Sequence, residues 1–233
     1  MSRPNQLVLI RHGQSLRNEA IKHQVYFPDM ESMAPVKGIP DHKIPLTEKG
    51  FLQAQQTGVA LCEKFQRPHY IYHSGYERTI QTMIGVLGAF SDNERQSIKI
   101  RMNPFIYERR PGYTYDMTKA QVDECFPWFA AHYAMLGGYF AEPPGGESMA
   151  DVVERVYNFI NMLFRDRAGQ RVWVVLHGGT LKAMRFILER WTFDEGACWP
   201  EGQSPKNCSV THYDHEESKE RLILKGHNLV FWE

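Results

Sequence analysis

The sequence predicts an α/β fold: a three-layer sandwich with a mostly parallel central sheet, helices on both faces, and a helical cap inserted over residues 103–144. Three features point that way. Short apolar runs alternate with amphipathic stretches from end to end, as in chains that wind helices over a parallel sheet. Two of those runs end in histidine and glycine, Arg11-His12-Gly13 and His177-Gly178-Gly179, and α/β ligand sites gather where strands end. A stretch rich in aromatic residues, closed by Pro143-Pro144-Gly145-Gly146, separates the two halves. We read one domain over residues 1–233.

Leu7–Ile10 is a continuous apolar run and reads as a buried strand. Residues 19–45 hold four prolines and no sustained periodicity, which predicts a long loop with at most a short helix. Thr47 is placed as the cap of a helix whose inner face carries Phe51, Ala54, Gly58, Leu61, Cys62 and Phe65. Tyr70–His73 is a second strand, followed by a helix with Ile80, Met83, Ile84, Leu87 and Phe90 on its stripe. Ile98, Ile100 and Met102 alternate with polar residues and predict a third strand ending near Tyr107-Glu108-Arg109.

Lys119 to Phe140 is expected to be helical. Ser148 caps the clearest amphipathic helix in the chain, with Val152, Val153, Val156, Ile160, Leu163 and Phe164 inward and Ala168-Gly169 at its close. Val172–Leu176 is the most strand-like segment and runs into a helix through Leu181, Met184, Ile187 and Leu188. Val210–Tyr213 and Leu222–Leu224 are late strands, the second expected at an edge. No internal repeat or low-complexity tract is present.

Composition narrows the function. With 27 basic residues against 27 acidic the chain has no net charge, which argues against nucleic acid or an anionic membrane as a partner. No apolar run approaches the ~18 residues of a membrane span, and the first residues do not resemble a secretory leader, so a cytoplasmic location is expected. Cys62, Cys125, Cys198 and Cys208 are widely spaced without a C-x-x-C pair. They suit a reducing compartment and read as buried thiols. A homo-oligomer stays open.

Parallel strands would bring His12 and His177 to one rim. A neutral imidazole is a competent nucleophile toward phosphorus, and a glycine at a helix start leaves room for a phosphoryl group near backbone N–H groups. Arg11 and Arg78 have the planar fork that suits phosphate oxygens. From spacing alone, Arg78 reads equally as a solvated helix charge, and Glu108 beside Arg109 and Arg110 as half of a surface ion pair. No H-x-H, H-x-x-x-H or C-x-x-C pattern suggests a metal site, and no cofactor is expected.

The chain resembles the histidine phosphatase superfamily, the branch containing cofactor-dependent phosphoglycerate mutases and many phosphatases. The markers, in order, are R-H-G-Q-S-x-x-N from Arg11 to Asn18, P-L-T-E-K-G from Pro45, S-G-Y-E-R-T from Ser74, the Glu108 segment, P-G-G-E-S from Pro144, and V-V-L-H-G-G from Val174. The resemblance implies a phosphoglycerate mutase-like fold and a catalytic set of His12, Glu108 and His177. His12 would attack phosphorus to form a phosphohistidine. Arg11, Arg78 and His177 would bind the equatorial oxygens, with Asn18 as an auxiliary contact. Glu108 would protonate the leaving oxygen and later activate water. Gly13 and Gly178 read as residues fitted to the backbone, Gly178 beside the phosphoryl group. Ser15 reads equally as a contact or a turn hydroxyl, Thr47 as a helix cap, and His23 and His42 as exposed loop histidines.

A mutase must also hold a second anionic group, which calls for extra basic residues in the cap. From Tyr113 to Pro144 the only basic side chains are Lys119 and His132, and the paired arginines of mutases are missing. Arg109 follows Glu108 as in mutases, whereas Arg110-Pro111-Gly112 departs from them. A phosphatase acting on a small-molecule phosphate ester is therefore expected, with a mutase or a non-catalytic phosphate-binding module as alternatives. Tyr113, Tyr115, Phe126, Trp128, Phe129, Tyr133, Tyr139 and Phe140 are expected mainly in the core. Any that line the pocket would favour an ester with an apolar or stackable leaving group.

Overall fold

The computed structural model describes residues 3–22 and 24–233. His23 lies outside the described residues.

Strands β1 (Gln6–Arg11), β2 (Tyr70–His73), β3 (Lys99–Met102), β4 (Arg171–Leu176), β5 (Val210–Glu216) and β6 (Arg221–Leu229) form one sheet in the order β3-β2-β4-β1-β5-β6. The first four are mutually parallel, while β5 and β6 each run antiparallel to their neighbour. β6 is an edge strand, as expected.

Strand side chains alternate between faces, and the two apolar clusters follow that period. Leu7 and Leu9 of β1 and Val172, Val174 and Leu176 of β4 pack against helices α8 (Met149–Asp166) and α9 (Gly178–Glu189). Val8, Ile10, Trp173 and Val175 point the other way, onto α3 (Glu48–Lys64) and α4 (Glu77–Leu87). Both strands are buried on both faces, which is why they read as unbroken apolar runs.

Thr47 and Ser148 cap α3 and α8, accepting from Gly50 N at 3.0 Å and Asp151 N at 3.1 Å. The buried face of α3 differs from the apolar stripe: it includes Gln53 and Thr57. Their side chains are satisfied, Gln53 Oε1 accepting from Gln14 N at 3.0 Å and Thr57 Oγ1 donating to Cys208 O at 3.3 Å. On α4, Val86 is buried and Ile84 exposed, the reverse of the expected stripe. Strand β3 stops at Met102, and its four residues are exposed. A 3-10 turn, Pro104–Ile106, then carries the chain to Glu108.

Residues 19–45 are more structured than expected. Helices α1 (Leu16–Ile21) and α2 (Met30–Met33) and two 3-10 turns, Ala34–Val36 and Asp41–Lys43, enclose a small core of Ala20, Phe27, Met33, Val36 and Ile44. Helices α5 (Asp92–Ser97) and α10 (Phe193–Ala197) were not foreseen. The cap holds α6 (Lys119–Cys125) and α7 (Phe129–Phe140), which breaks at Gly137, φ +74°. Only Phe129 and Tyr139 of the eight cap aromatics are buried, so the expected aromatic core is wrong for most of them. Cys208 is buried and Cys62 half-buried, but Cys125 and Cys198 are exposed thiols, another correction. Among the described residues no helix is long and apolar enough to cross a membrane.

Candidate active site

Parallel pairing aligns Arg11 with Leu176 across β1 and β4. The residues after them, His12 and His177, therefore stand side by side, ring centroids 5.1 Å apart. Both are buried. The Nδ1–H of His12 donates to the Gly13 carbonyl at 2.8 Å, because that oxygen can only accept. Nε2 is thereby left with its lone pair. Burial, then Arg78 and Arg11, holds the His12 imidazole well below its ordinary pKa, so the ring is neutral. Gly13 is required by space: a Cβ there would lie 2.3 Å from the Gly50 carbonyl oxygen.

His177 has the opposite tautomer. Its Nδ1 accepts from Arg78 Nε at 3.3 Å, so the proton sits on Nε2 and is donated to Ser74 Oγ at 2.8 Å. Ser74 Oγ donates to Thr79 Oγ1 at 3.0 Å, which in turn donates to Tyr76 O at 2.8 Å. Burial first, then Arg78, keeps His177 well below the usual imidazole pKa. Both ring nitrogens of His177 are thus engaged, and its Nδ1 bond ties the ring to Arg78.

Arg78 is buried at the start of α4. Its Nη1 donates to the Asp41 carbonyl at 2.7 Å and to Asp41 Oδ1 at 2.9 Å. Tyr115 of the cap donates to the same Oδ1 at 3.3 Å. A loop carboxylate therefore rests on the arginine expected to hold phosphate.

Glu108 Oε1 accepts from Arg109 N at 2.8 Å and from Gly179 N, in the first turn of α9, at 3.0 Å. Gly179 permits this approach, since a Cβ there would come within 2.7 Å of Oε1. Buried Glu147 frames the segment: its carboxylate accepts from Tyr107 OH at 2.7 Å, Arg110 N at 2.9 Å and Arg155 Nε at 2.9 Å. Burial alone would raise its pKa, but Arg155 and the other donors hold it below the usual carboxylate value. Glu147 lies inside the P-G-G-E-S marker, yet nothing in that string says it braces Glu108.

Arg11 donates from Nη1 to the Pro205 carbonyl, while its Nε is buried without a hydrogen-bond partner among the described residues. Gly178 leaves the space beside that Nε open, with Arg11 Nε at 3.9 Å as the nearest atom to a Cβ placed there. Asn18 Oδ1 accepts from Ser15 Oγ at 3.1 Å and Asn207 Nδ2 at 3.0 Å, so the amide has its Nδ2 donor to offer. Ser15 is the cap of α1. Asn207, Arg17, Ser74 and Lys182 were missed. Arg17 lies over the Tyr115 ring at 3.9 Å and faces the pocket. Lys182, one turn into α9, is pushed down to about 8, by burial first and then by Arg109. His42 is exposed, as a loop histidine should be.

Arg11, His12, Asn18, Arg78 and Glu108 line one pocket of about 230 Å³, and Gly178 lines an adjoining one with Arg11 and Glu108. One ligand atom from each of His12, Glu108 and His177 lies within 4.8 Å of the others. Arg11 and Arg78 make the surroundings cationic, which favours an anion over a metal ion there. A neutral nucleophile, buried guanidinium groups and a carboxylate on one pocket are the parts phosphoryl transfer needs.

The profile of the histidine phosphatase superfamily (branch 1) matches residues 7–228, and the chain belongs to that superfamily. It is 30% identical over 209 residues to phosphoglycerate mutase-like protein AT74 of Arabidopsis thaliana, a match covering 82% of this chain and 60% of that protein. The chain thus spans about three fifths of that relative's length. It is also 30% identical to a 2,3-bisphosphoglycerate-dependent phosphoglycerate mutase of Methylobacterium radiotolerans, over 80% of each chain. Two solved structures share the fold: a mycobacterial glucosyl-3-phosphoglycerate phosphatase (TM-score 0.71, 24% identity, 97% of this chain and 100% of the other) and Bacillus stearothermophilus YhfR (TM-score 0.74, 21% identity, 98% and 99%). The phosphoglycerate mutase-like fold is therefore established, and relatives and neighbours include both mutases and phosphatases.

Proposed function

We propose that the chain is a metal-independent phosphomonoester hydrolase working through a covalent phosphohistidine on His12. The observation that supports this most is the tautomer of His12, whose Nδ1 proton is tied to Gly13 O and whose Nε2 is free to attack. The imidazole feels the charges of both buried Arg78 and half-buried Arg11.

His12 Nε2 attacks phosphorus in line with the ester oxygen, and the Gly13 carbonyl steadies the charge that develops on the ring. Arg11 Nε, Arg78 and Asn18 Nδ2 face the equatorial oxygens, while His177 and Ser74 fix the direction of Arg78. Glu108 gives its proton to the departing alkoxide as the P–O bond breaks. It then takes a proton from the water that attacks the phosphohistidine, which releases inorganic phosphate and restores His12. Gly178 keeps a side chain out of this space, and Gly13 lets the backbone after His12 pass against Gly50.

Phosphoryl transfer between phosphoglycerates is the second reading, favoured by the mutase relative and by Arg109 directly after Glu108. Against it, Arg109 is already engaged, donating to Glu147 O at 2.6 Å and to Ala141 O at 3.4 Å. A binding module without turnover would leave the His12–Glu108 pair unused.

The test pairs hydrolysis of p-nitrophenyl phosphate in chelator with transfer from bisphosphoglycerate to 3-phosphoglycerate. Chelator-resistant hydrolysis with negligible transfer is expected. Efficient transfer with slow hydrolysis would make the protein a mutase, and inactivity in both assays would favour the binding module.

A further inference from the structure

Beside the catalytic pocket the cap encloses a second chamber of about 550 Å³, the size of a small-molecule site. Arg109 and Pro111 line both spaces, so the chamber adjoins the side of the pocket where Glu108 stands. Its walls are mainly apolar: Val25 and Tyr26 from the 19–45 segment, Val122 from α6, Phe129 and Tyr133 from α7, and Pro143. Two cations reach it, and each has a partner. Lys119 is ion-paired with Asp123 one turn along α6, and Arg109 is anchored on two backbone carbonyls.

We propose that this chamber receives the leaving group, and that the substrate is the phosphate monoester of an uncharged, apolar alcohol long enough to reach the Phe129 ring. The assignment rests on the phosphomonoesterase reading of the neighbouring site. A second carboxylate or phosphate would find Lys119 already paired with Asp123 and the Arg109 guanidinium turned onto the carbonyls of Glu147 and Ala141. A polar sugar would lose water without recovering its hydrogen bonds. An aryl-alkyl group buries its surface against Val122, Phe129 and Tyr133 and leaves its ester oxygen beside Glu108.

The experiment compares 3-phenylpropyl phosphate with glycerol 1-phosphate, two esters of primary alcohols. In the wild-type protein kcat/KM is expected to favour the phenylpropyl ester by at least about tenfold, the order of effect that burying one phenyl group brings. Ala130 is exposed on α7 and lines the chamber, so Ala130→Trp fills it without entering the core. That variant should lose the preference while keeping glycerol 1-phosphate turnover within about twofold, a change confined to the filled space. Independently of the variant, ω-phenylalkyl phosphonates should inhibit the wild-type protein more tightly as the chain lengthens from one to three carbons. Equal or better turnover of glycerol 1-phosphate, or inhibition indifferent to chain length, would overturn the assignment and leave the phosphatase reading standing. Inactivity toward p-nitrophenyl phosphate and both esters would overturn the two together.

Discussion

The rim that holds His12 and the chamber under the cap meet at Arg109, yet they are built in different ways. Most polar groups on the rim come from a strand end or a helix start, with Glu108 on the loop beyond the Pro104–Ile106 turn, and most are held by hydrogen bonds to other buried groups. His12 is fixed by Gly13, His177 by Ser74 and Arg78, and Glu108 by the N–H groups of Arg109 and Gly179. The chamber is walled by short helices, turns and aromatic side chains that range from buried Phe129 to exposed Tyr133. A preorganised set of dipoles stabilises a transition state without reorganising, whereas apolar walls discriminate by shape and burial. On the proposed reading the difference assigns each property a place: the rim would set the reaction, and the cap what is cleaved.

The rim breaks most severely at Arg78. Arg78→Met keeps the bulk of the side chain and removes the guanidinium, and kcat for p-nitrophenyl phosphate should fall about 10²- to 10³-fold. A loss under about threefold would mean that Arg78 does not meet the phosphoryl group. Removing Glu147 instead breaks the junction between the two regions. Glu147→Ala leaves Arg155 buried without its partner, since their side chains are 4% and 10% exposed. Urea unfolding should report a loss of about 3 kcal/mol, with activity falling because the 107–110 segment loses its brace. An unchanged midpoint would show that the segment is held by other contacts.

Acid should weaken the rim in a predictable direction. His12 and His177 have depressed pKa values in the fold. In the unfolded chain they take up protons below about 6.5. Their cost to the fold is therefore absent above that pH and grows as pH falls below it, by up to about 1.4 kcal/mol per unit for each histidine. Urea midpoints measured from pH 7 to pH 5 should decline, and His177→Gln should reduce the slope. The smallest effect is expected at Asp41. If its carboxylate competes with phosphate for Arg78, Asp41→Asn should tighten inhibition by inorganic phosphate about fivefold, roughly 1 kcal/mol. Weaker inhibition would mean that Asp41 aligns the guanidinium instead.

Legibility in the sequence follows the same division. Strands buried on both faces, such as Leu7–Ile10 and Val172–Leu176, have one reading, and the polar residues after them could only collect at one rim. The resemblance marked Glu108 and Asn18, which spacing alone left ambiguous. What escaped depends on contacts between distant segments. Asp41 meets Arg78, Glu147 braces Glu108, and Asn207 orients Asn18 through folded-state geometry that no local pattern encodes. Polar Gln53 and Thr57 are buried on α3 because particular backbone groups lie opposite them. The cap aromatics misled because mixed spacing does not distinguish a buried face from an exposed one: Tyr133 stands on the chamber wall, while Tyr113, Trp128 and Phe140 face outward.

The central claim is tested most directly by trapping the phosphoenzyme. A ³²P-labelled phosphomonoester mixed with the protein and quenched within one turnover should leave an acid-labile, base-stable label on His12. The label should be absent in His12→Asn, with kcat down about 10⁴-fold or more, the scale of losing a nucleophile. Turnover by His12→Asn near the wild-type rate, or label on another residue, would contradict the account.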